Sequence, residues 1–207
     1  MFDRHRRRKV FEDAVRYAAN GWPVAPLAVP HHGICLCGKG CVEPHLVGDV
    51  IRDGYQAAEV WSPPATGSAV GGLGVALVAE WFDVLELPPE YGALVNHRLK
   101  ASCPTAMAPA KRQWWFFVSQ GSVPREQVEA AGGVLRSGVA DWVPAPGTWL
   151  EDTGRIRWLV HPYLTEWQPY RPLDPISQIL PDYSQRNGDR RRQEIQPDSD
   201  PADRGAQ

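Results

Sequence analysis

The sequence predicts a layered α/β (α+β) domain, a mixed sheet flanked by helices, and three observations lead there. Helix-like and strand-like segments alternate along the chain without long pure runs, which favours layered architectures over bundles or sandwiches. With 207 residues and 43% hydrophobic content, the chain can build one sizeable core, or at most two small ones. Its 9 Trp and 20 Pro point to many short elements filled by rigid side chains and joined by proline-marked turns.

Taken in order, residues from about Phe2 to Asn20 place Val10, Phe11, Val15 and Ala18 at helical spacing, and Asn20-Gly21 supplies a stop. The first turns carry Arg4, Arg6, Arg7, Arg8 and Lys9, unfavourable against the positive end of a helix dipole. They read either as a solvated, frayed end or as phosphate contacts. Trp22 to Leu27 reads as a short buried strand, and about 28–54 as a loop. Leu73 to Val78 and Trp81 to Leu87 form two β segments around Ala79-Glu80, followed by a helix from about Pro89 to Lys100 that begins on a well-placed proline. The continuous run Trp114, Trp115, Phe116, Phe117, Val118 predicts a strand buried on both faces at the centre of a sheet. A helix over about Pro124 to Ala131 ends at Gly132-Gly133, and strands are expected at Val134 to Arg136, Trp142 to Ala145 and Ile156 to Val160. The organisation is one domain over 1–183 and a polar, aperiodic tail over 184–207, expected to be disordered.

The formal net charge is −2, so a nucleic-acid partner would have to be drawn by a local basic patch. No apolar run reaches the roughly 20 residues that span a bilayer, and the N-terminus lacks the apolar core of a secretory signal. The expectation is a cytoplasmic protein without membrane partners. In a reducing compartment cysteines are free for metal binding rather than disulfides.

Of the 4 cysteines, Cys35, Cys37 and Cys41 cluster in the spacing C-x-C-x3-C-x3-H that ends at His45, with Gly33, Gly38 and Gly40 interleaved and Pro44 before the histidine. Tetrahedral zinc needs soft or borderline ligands converging at about 2.0–2.3 Å, and glycine lets a short loop turn sharply enough to aim them. A long loop without its own core also needs a staple. Zinc is the expected ion; free thiols and redox chemistry are the competing readings. The C-x-C pair is tight, which leaves His31 or His32 as substitute ligands. Four protein ligands close the coordination sphere, so the zinc would be structural. Cys103, alone before Pro104, reads as a small buried hydrophobe.

The string A-x-x-Y-A-x-x-G-W-P-V-x-P-L, supplied by Ala14, Tyr17, Ala18, Gly21, Trp22, Pro23, Val24, Pro26 and Leu27, resembles the start of the bifunctional DNA primase/polymerase N-terminal domain. Cys35, Cys37, Gly38, Cys41, Pro44 and His45 look like the C-x-C-G loop that often follows in that family. Trp114 to Val118, the segment Trp142 to Gly147, and Gly154, Arg155 and Trp158 resemble its later strands. The resemblance covers about residues 10 to 160. It implies a single primase-polymerase-like domain in which a strand carries paired carboxylates that hold divalent metal for nucleotidyl transfer. Two magnesium ions that clamp attacking and leaving oxygens need hard oxygen ligands, and a D-x-D or D-x-E pair presents both acids on one strand face.

Here the corresponding segment reads Phe82-Asp83-Val84-Leu85-Glu86-Leu87. Asp83 and Glu86 are three apart and point to opposite faces of a regular strand; a bulge, or a turn near Pro88-Pro89, would be needed to unite them. Where the family implies a histidine for the nucleotide phosphates, this chain has Ala110-Lys111-Arg112-Gln113-Trp114, and where a further acid is implied it has Val134-Leu135-Arg136. The expectation is a catalytically degenerate relative. Binding would survive through Lys111 and Arg112, with Arg98 and Lys100 upstream, meeting phosphates while Trp114 stacks bases; core packing is the other reading for Trp114 and Trp115. DNA or nucleotides and a replication protein are the expected partners, in DNA replication or a mobile-element context. Two alternatives compete: an active nucleotidyltransferase using Asp83, Glu86 and Asp141 with Mg or Mn, and a zinc-stapled protein-interaction module. No G-x4-G-K-[ST] string occurs, so a motor would come from other chains.

Overall fold

The computed structural model describes residues 2–180 except 33, 36, 39, 63–72, 152, 172–175 and 177. The expected tail over 184–207, and the side chains of Arg4, Arg6 and Arg7, lie outside the described residues. Helix α1 (Phe2–Ala19) buries Ala14, Tyr17 and Ala18. It stops where the sequence says it should. Gly21 takes φ +78°, its N–H donates to the Ala18 carbonyl at 3.0 Å, and the Trp22 N–H reaches back to Tyr17 at 3.0 Å. This pairing satisfies carbonyls that the helix end leaves open. Arg8 and Lys9 bind Glu12 and Asp13 one turn on, at 2.8 and 3.1 Å, and these i,i+4 pairs offset the misplaced positive charge.

Strand β1 (Val24–Ala28) is followed by the cysteine loop, the two-residue strand β2 (His45–Leu46), and helix α2 (Gly54–Trp61). Strands β3 (Gly74–Val78) and β4 (Phe82–Leu87) then lead to helix α3 (Pro89–Leu99). After a short 3-10 turn come β5 (Thr105–Ala108), β6 (Gln113–Ser119), helix α4 (Arg125–Ala130) and β7 (Val134–Arg136). The chain continues through β8 (Trp142–Pro144), β9 (Trp149–Leu150), β10 (Gly154–Arg155) and β11 (Arg157–Val160).

These strands make two sheets, ordered β2-β1-β3-β8 and β11-β5-β6-β4-β7, and the hairpin β9-β10. The expectation of a mixed sheet is corrected here. Every ladder is antiparallel; β5–β6 and β9–β10 are joined by short turns, while the other paired strands are brought together from distant parts of the chain. Strand β6 does occupy the centre of its sheet. Its alternation divides the core. Phe82, Val84, Trp115 and Phe117 enter a cluster shared with the first sheet, α1 and α2, while Leu85, Leu87, Phe116 and Val118 face α3, α4 and Cys103. Trp22 anchors the first cluster, with ring centroids 4.9 Å from Phe82 and 5.1 Å from Phe117 and its indole N–H donating to the Trp167 carbonyl at 2.7 Å. Removing a fully buried ring of this kind costs about 3–5 kcal/mol.

Two helices sit close because glycines let them. A Cβ on Gly54 would meet the Ala19 Cβ at 3.0 Å, and one on Gly92 would meet the Trp114 ring at 2.3 Å. The second contact seats α3 directly on β6.

Candidate metal centre

The loop between β1 and β2 brings Cys35, Cys37, Cys41 and His45 together. Sulfur–sulfur distances are 3.4 Å for Cys35–Cys37 and 3.3 Å for Cys37–Cys41, and His45 Nε2 lies 3.9 Å from the sulfurs of both Cys35 and Cys41. Ligands at about 2.3 Å from a tetrahedral ion stand roughly 3.7 Å apart, so the four donors already outline a coordination polyhedron. They form a set that can hold a metal such as zinc. His45 is aimed by its other nitrogen: Nδ1 lies 3.1 Å from the Glu43 carbonyl, and a proton there leaves Nε2 as the donor toward the metal. The Cys37 sulfur stands within 3.4 Å of both other sulfurs. Hydrogen bonding to the Cys37 sulfur, with some desolvation, holds the Cys41 thiol at about 11, and a divalent cation inverts that preference by stabilising thiolates. His31 and His32 do not substitute in this set; they lie with Glu151 instead.

The sheet acids take up different surroundings. Strands β4 and β6 pair without interruption from Phe82↔Ser119 to Leu87↔Trp114, so no bulge turns Asp83 toward Glu86. Asp83 is buried on the α3/α4 side, where one carboxylate oxygen accepts the Gly121 N–H at 2.7 Å and the other has no partner among the described residues. Glu86 lies on the opposite face. The register places Val84, Glu86, Trp115, Val134 and Arg136 side by side there. Arg136 donates to Glu86 Oε2 at 3.2 Å and Gln113 to the same oxygen at 3.3 Å. The position two residues from Glu86, which a D-x-E pair would need, is filled by the fully buried Val84. Asp141 accepts the Ser137 N–H at 2.9 Å and closes the turn before β8. Among the described residues, no group of metal-ligating side chains includes Asp83, Glu86 or Asp141.

Glu86 opens onto a cavity of about 290 Å³ whose walls include Pro89, Lys111, Gln113, Gly133 and Val134. Gly133 is required at this wall, since a Cβ would stand 2.4 Å from the Glu86 carbonyl. Lys111 and Arg112 are exposed at the β5–β6 turn, Arg112 with φ +52°. Trp114 does not join them as a stacking surface. It is on the other face from Gln113, packed on Gly92 and stacked on Phe116 at 6.3 Å, and Trp115 is buried in the first cluster. Trp114 is thus partly buried against the second cluster. Cys103 is fully buried, and desolvation drives its thiol strongly upward.

The sequence reading passed over Arg136 as a partner of Glu86, and over Gln113 and Gly133 as cavity walls. The Gly-Gly pair after α4 was the signal available for the last. Among the described residues, no helix is long and apolar enough to cross a membrane. No protein-family model, curated protein or solved structure matches the chain.

Proposed function

We propose that the chain is a primase-polymerase-like domain with a dismantled catalytic centre, which binds nucleotide or nucleic acid in DNA replication or in a mobile element. The observation that carries this reading is the Glu86–Arg136 pair at 3.2 Å, with Val84 where a second acid would stand. A guanidinium supplies, at fixed charge, the positive partner that Glu86 would otherwise find in a divalent cation. Magnesium prefers an octahedron of hard oxygens, and one carboxylate already hydrogen-bonded to Arg136 and Gln113 does not provide it. Phosphates would be met at the adjoining cavity, which Lys111 helps to line, with the exposed Arg112 next to it in the chain.

In this reading zinc is the ion of the cysteine centre. It braces the loop and is closed to substrate, and a reducing, cytoplasmic compartment keeps its thiols available. A replication protein would supply any motor.

Anisotropy titration of labelled single-stranded DNA tests the binding. The expected result is an affinity that falls steeply with salt, and a shallower slope in the Lys111→Ala, Arg112→Ala double variant. Binding that ignores salt, or none, would remove the reading. Such a result would favour a protein-docking module, for which Leu159, Tyr163 and Leu164, exposed and close in the chain, are the supporting observation.

A further inference from the structure

The residues flanking the cysteine loop hold a second group of ligands. Strand β1 runs into a tight reversal in which the His31 N–H donates to the Ile34 carbonyl at 2.9 Å and the Ile34 N–H returns to His31 at 3.0 Å. Side chains of consecutive residues in extended chain point to opposite sides. Here His32 adopts φ +49°, a left-handed conformation uncommon outside glycine, and the two imidazoles come to lie 4.1 Å apart, centre to centre.

A carboxylate from far along the chain meets them. Glu151 follows β9, and its Oε2 accepts the His32 backbone N–H at 3.1 Å while Oε1 stands 3.3 Å from His32 Nδ1. Trp149, two residues before Glu151, sets the edge of its contact on His31 at 5.6 Å and 81°. One donor atom from each of His31, His32 and Glu151 lies within 4.8 Å of the others, and all three residues are exposed.

We propose that His31, His32 and Glu151 form a second, open site for a borderline divalent cation such as Zn2+, bound through two imidazoles and one carboxylate. The donor set decides the class of ion. Imidazole nitrogen with a single carboxylate suits zinc, cobalt or nickel, whereas magnesium and calcium require more oxygen ligands. Oε2 keeps its bond to the His32 N–H and orients the carboxylate, in the way second-shell bonds orient metal ligands elsewhere, while Oε1 exchanges the His32 imidazole for the ion. Three protein ligands leave a position for water or an outside donor. The site therefore differs in kind from the closed cysteine centre, and its ion exchanges with solvent. It ties the start of the cysteine loop to the tip of the β9–β10 hairpin, and it is independent of the nucleic-acid reading.

The test is calorimetric titration of the full chain with Zn2+, starting from protein that already holds one equivalent in the cysteine centre. A second, weaker equivalent is expected, with shifts in the His31 and His32 imidazole resonances that millimolar Mg2+ does not produce. Separate His31→Ala and Glu151→Gln substitutions are expected to weaken this equivalent at least about tenfold while leaving the first intact. Uptake that stops at one equivalent would overturn the proposal, as would unmoved His31 and His32 resonances in the unsubstituted protein, or a second equivalent that neither substitution weakens.

Discussion

Replacing Arg136 by alanine removes the positive charge from 3.2 Å beside Glu86 and leaves Gln113 as that carboxylate's remaining hydrogen-bond donor among the contacts described above. Breaking a buried ion pair by deleting one partner costs about 3–5 kcal/mol. The Arg136 side chain is 38% exposed and that of Glu86 only 9%, so water screens part of the interaction and re-solvates part of the orphaned acid. We therefore expect a loss of roughly 1.5–3 kcal/mol. If the loss comes from the stranded charge, removing that charge should recover part of it. The Glu86→Gln, Arg136→Ala double variant is expected to be more stable than the sum of the two single changes by about 1–2 kcal/mol. Urea unfolding followed by tryptophan fluorescence measures all four proteins of this cycle. Additivity to within about 0.5 kcal/mol would refute the pairing, and stabilisation by Mn2+ that Glu86→Gln alone abolishes would show a cation in the place assigned to Arg136.

Chelating the cysteine-centre ion, or Cys41→Ser, should destabilise the protein and expose the 31–45 loop to proteolysis; an unchanged melting temperature and digestion pattern would contradict the staple. Because the Cys41 thiol sits at about 11 before metal binds, binding must displace protons, and zinc affinity in a competition assay should rise with pH. Gly92→Ala places a methyl group 2.3 Å from the Trp114 ring and should cost about 1–3 kcal/mol by overpacking, read from the shift of the urea midpoint. Burial raises the Asp13 carboxyl above its ordinary 3.8, against the opposing pull of Lys9. The folded state then binds more protons than the unfolded one, so this group's contribution to stability falls as pH rises from that value through the raised one. Asp13→Asn should consequently compare more favourably with the parent at pH 7 than at pH 3, as measured by thermal melts.

Locally encoded features were legible in the sequence. Asn20-Gly21 ends α1, Pro89 opens α3, the aromatic run forms the central strand, and the cysteine spacing converges as the glycines allow. Short elements were harder. Helix α2 lies just past the loop expected over about 28–54 and has no counterpart in the sequence reading, although Asp53 caps it by accepting the Tyr55 and Gln56 N–H groups at 2.8 and 3.1 Å and Ala57 and Trp61 share its buried face. Strand β5 carries Ala106 and Ala108, too small to give an apolar pattern, and gains its identity from pairing with β6. Register lies further still from local sequence. That Val84 and Arg136 are cross-strand neighbours beside Glu86, or that Glu151 reaches His32 across 119 residues, depends on how distant segments pair.

Incorporation of labelled deoxynucleotide on a primed template, with Mg2+ and Mn2+ supplied in turn, bears most directly on the dismantled centre. The account predicts no synthesis above that of an Asp83→Ala, Glu86→Ala variant. Extension that this variant abolishes would contradict it.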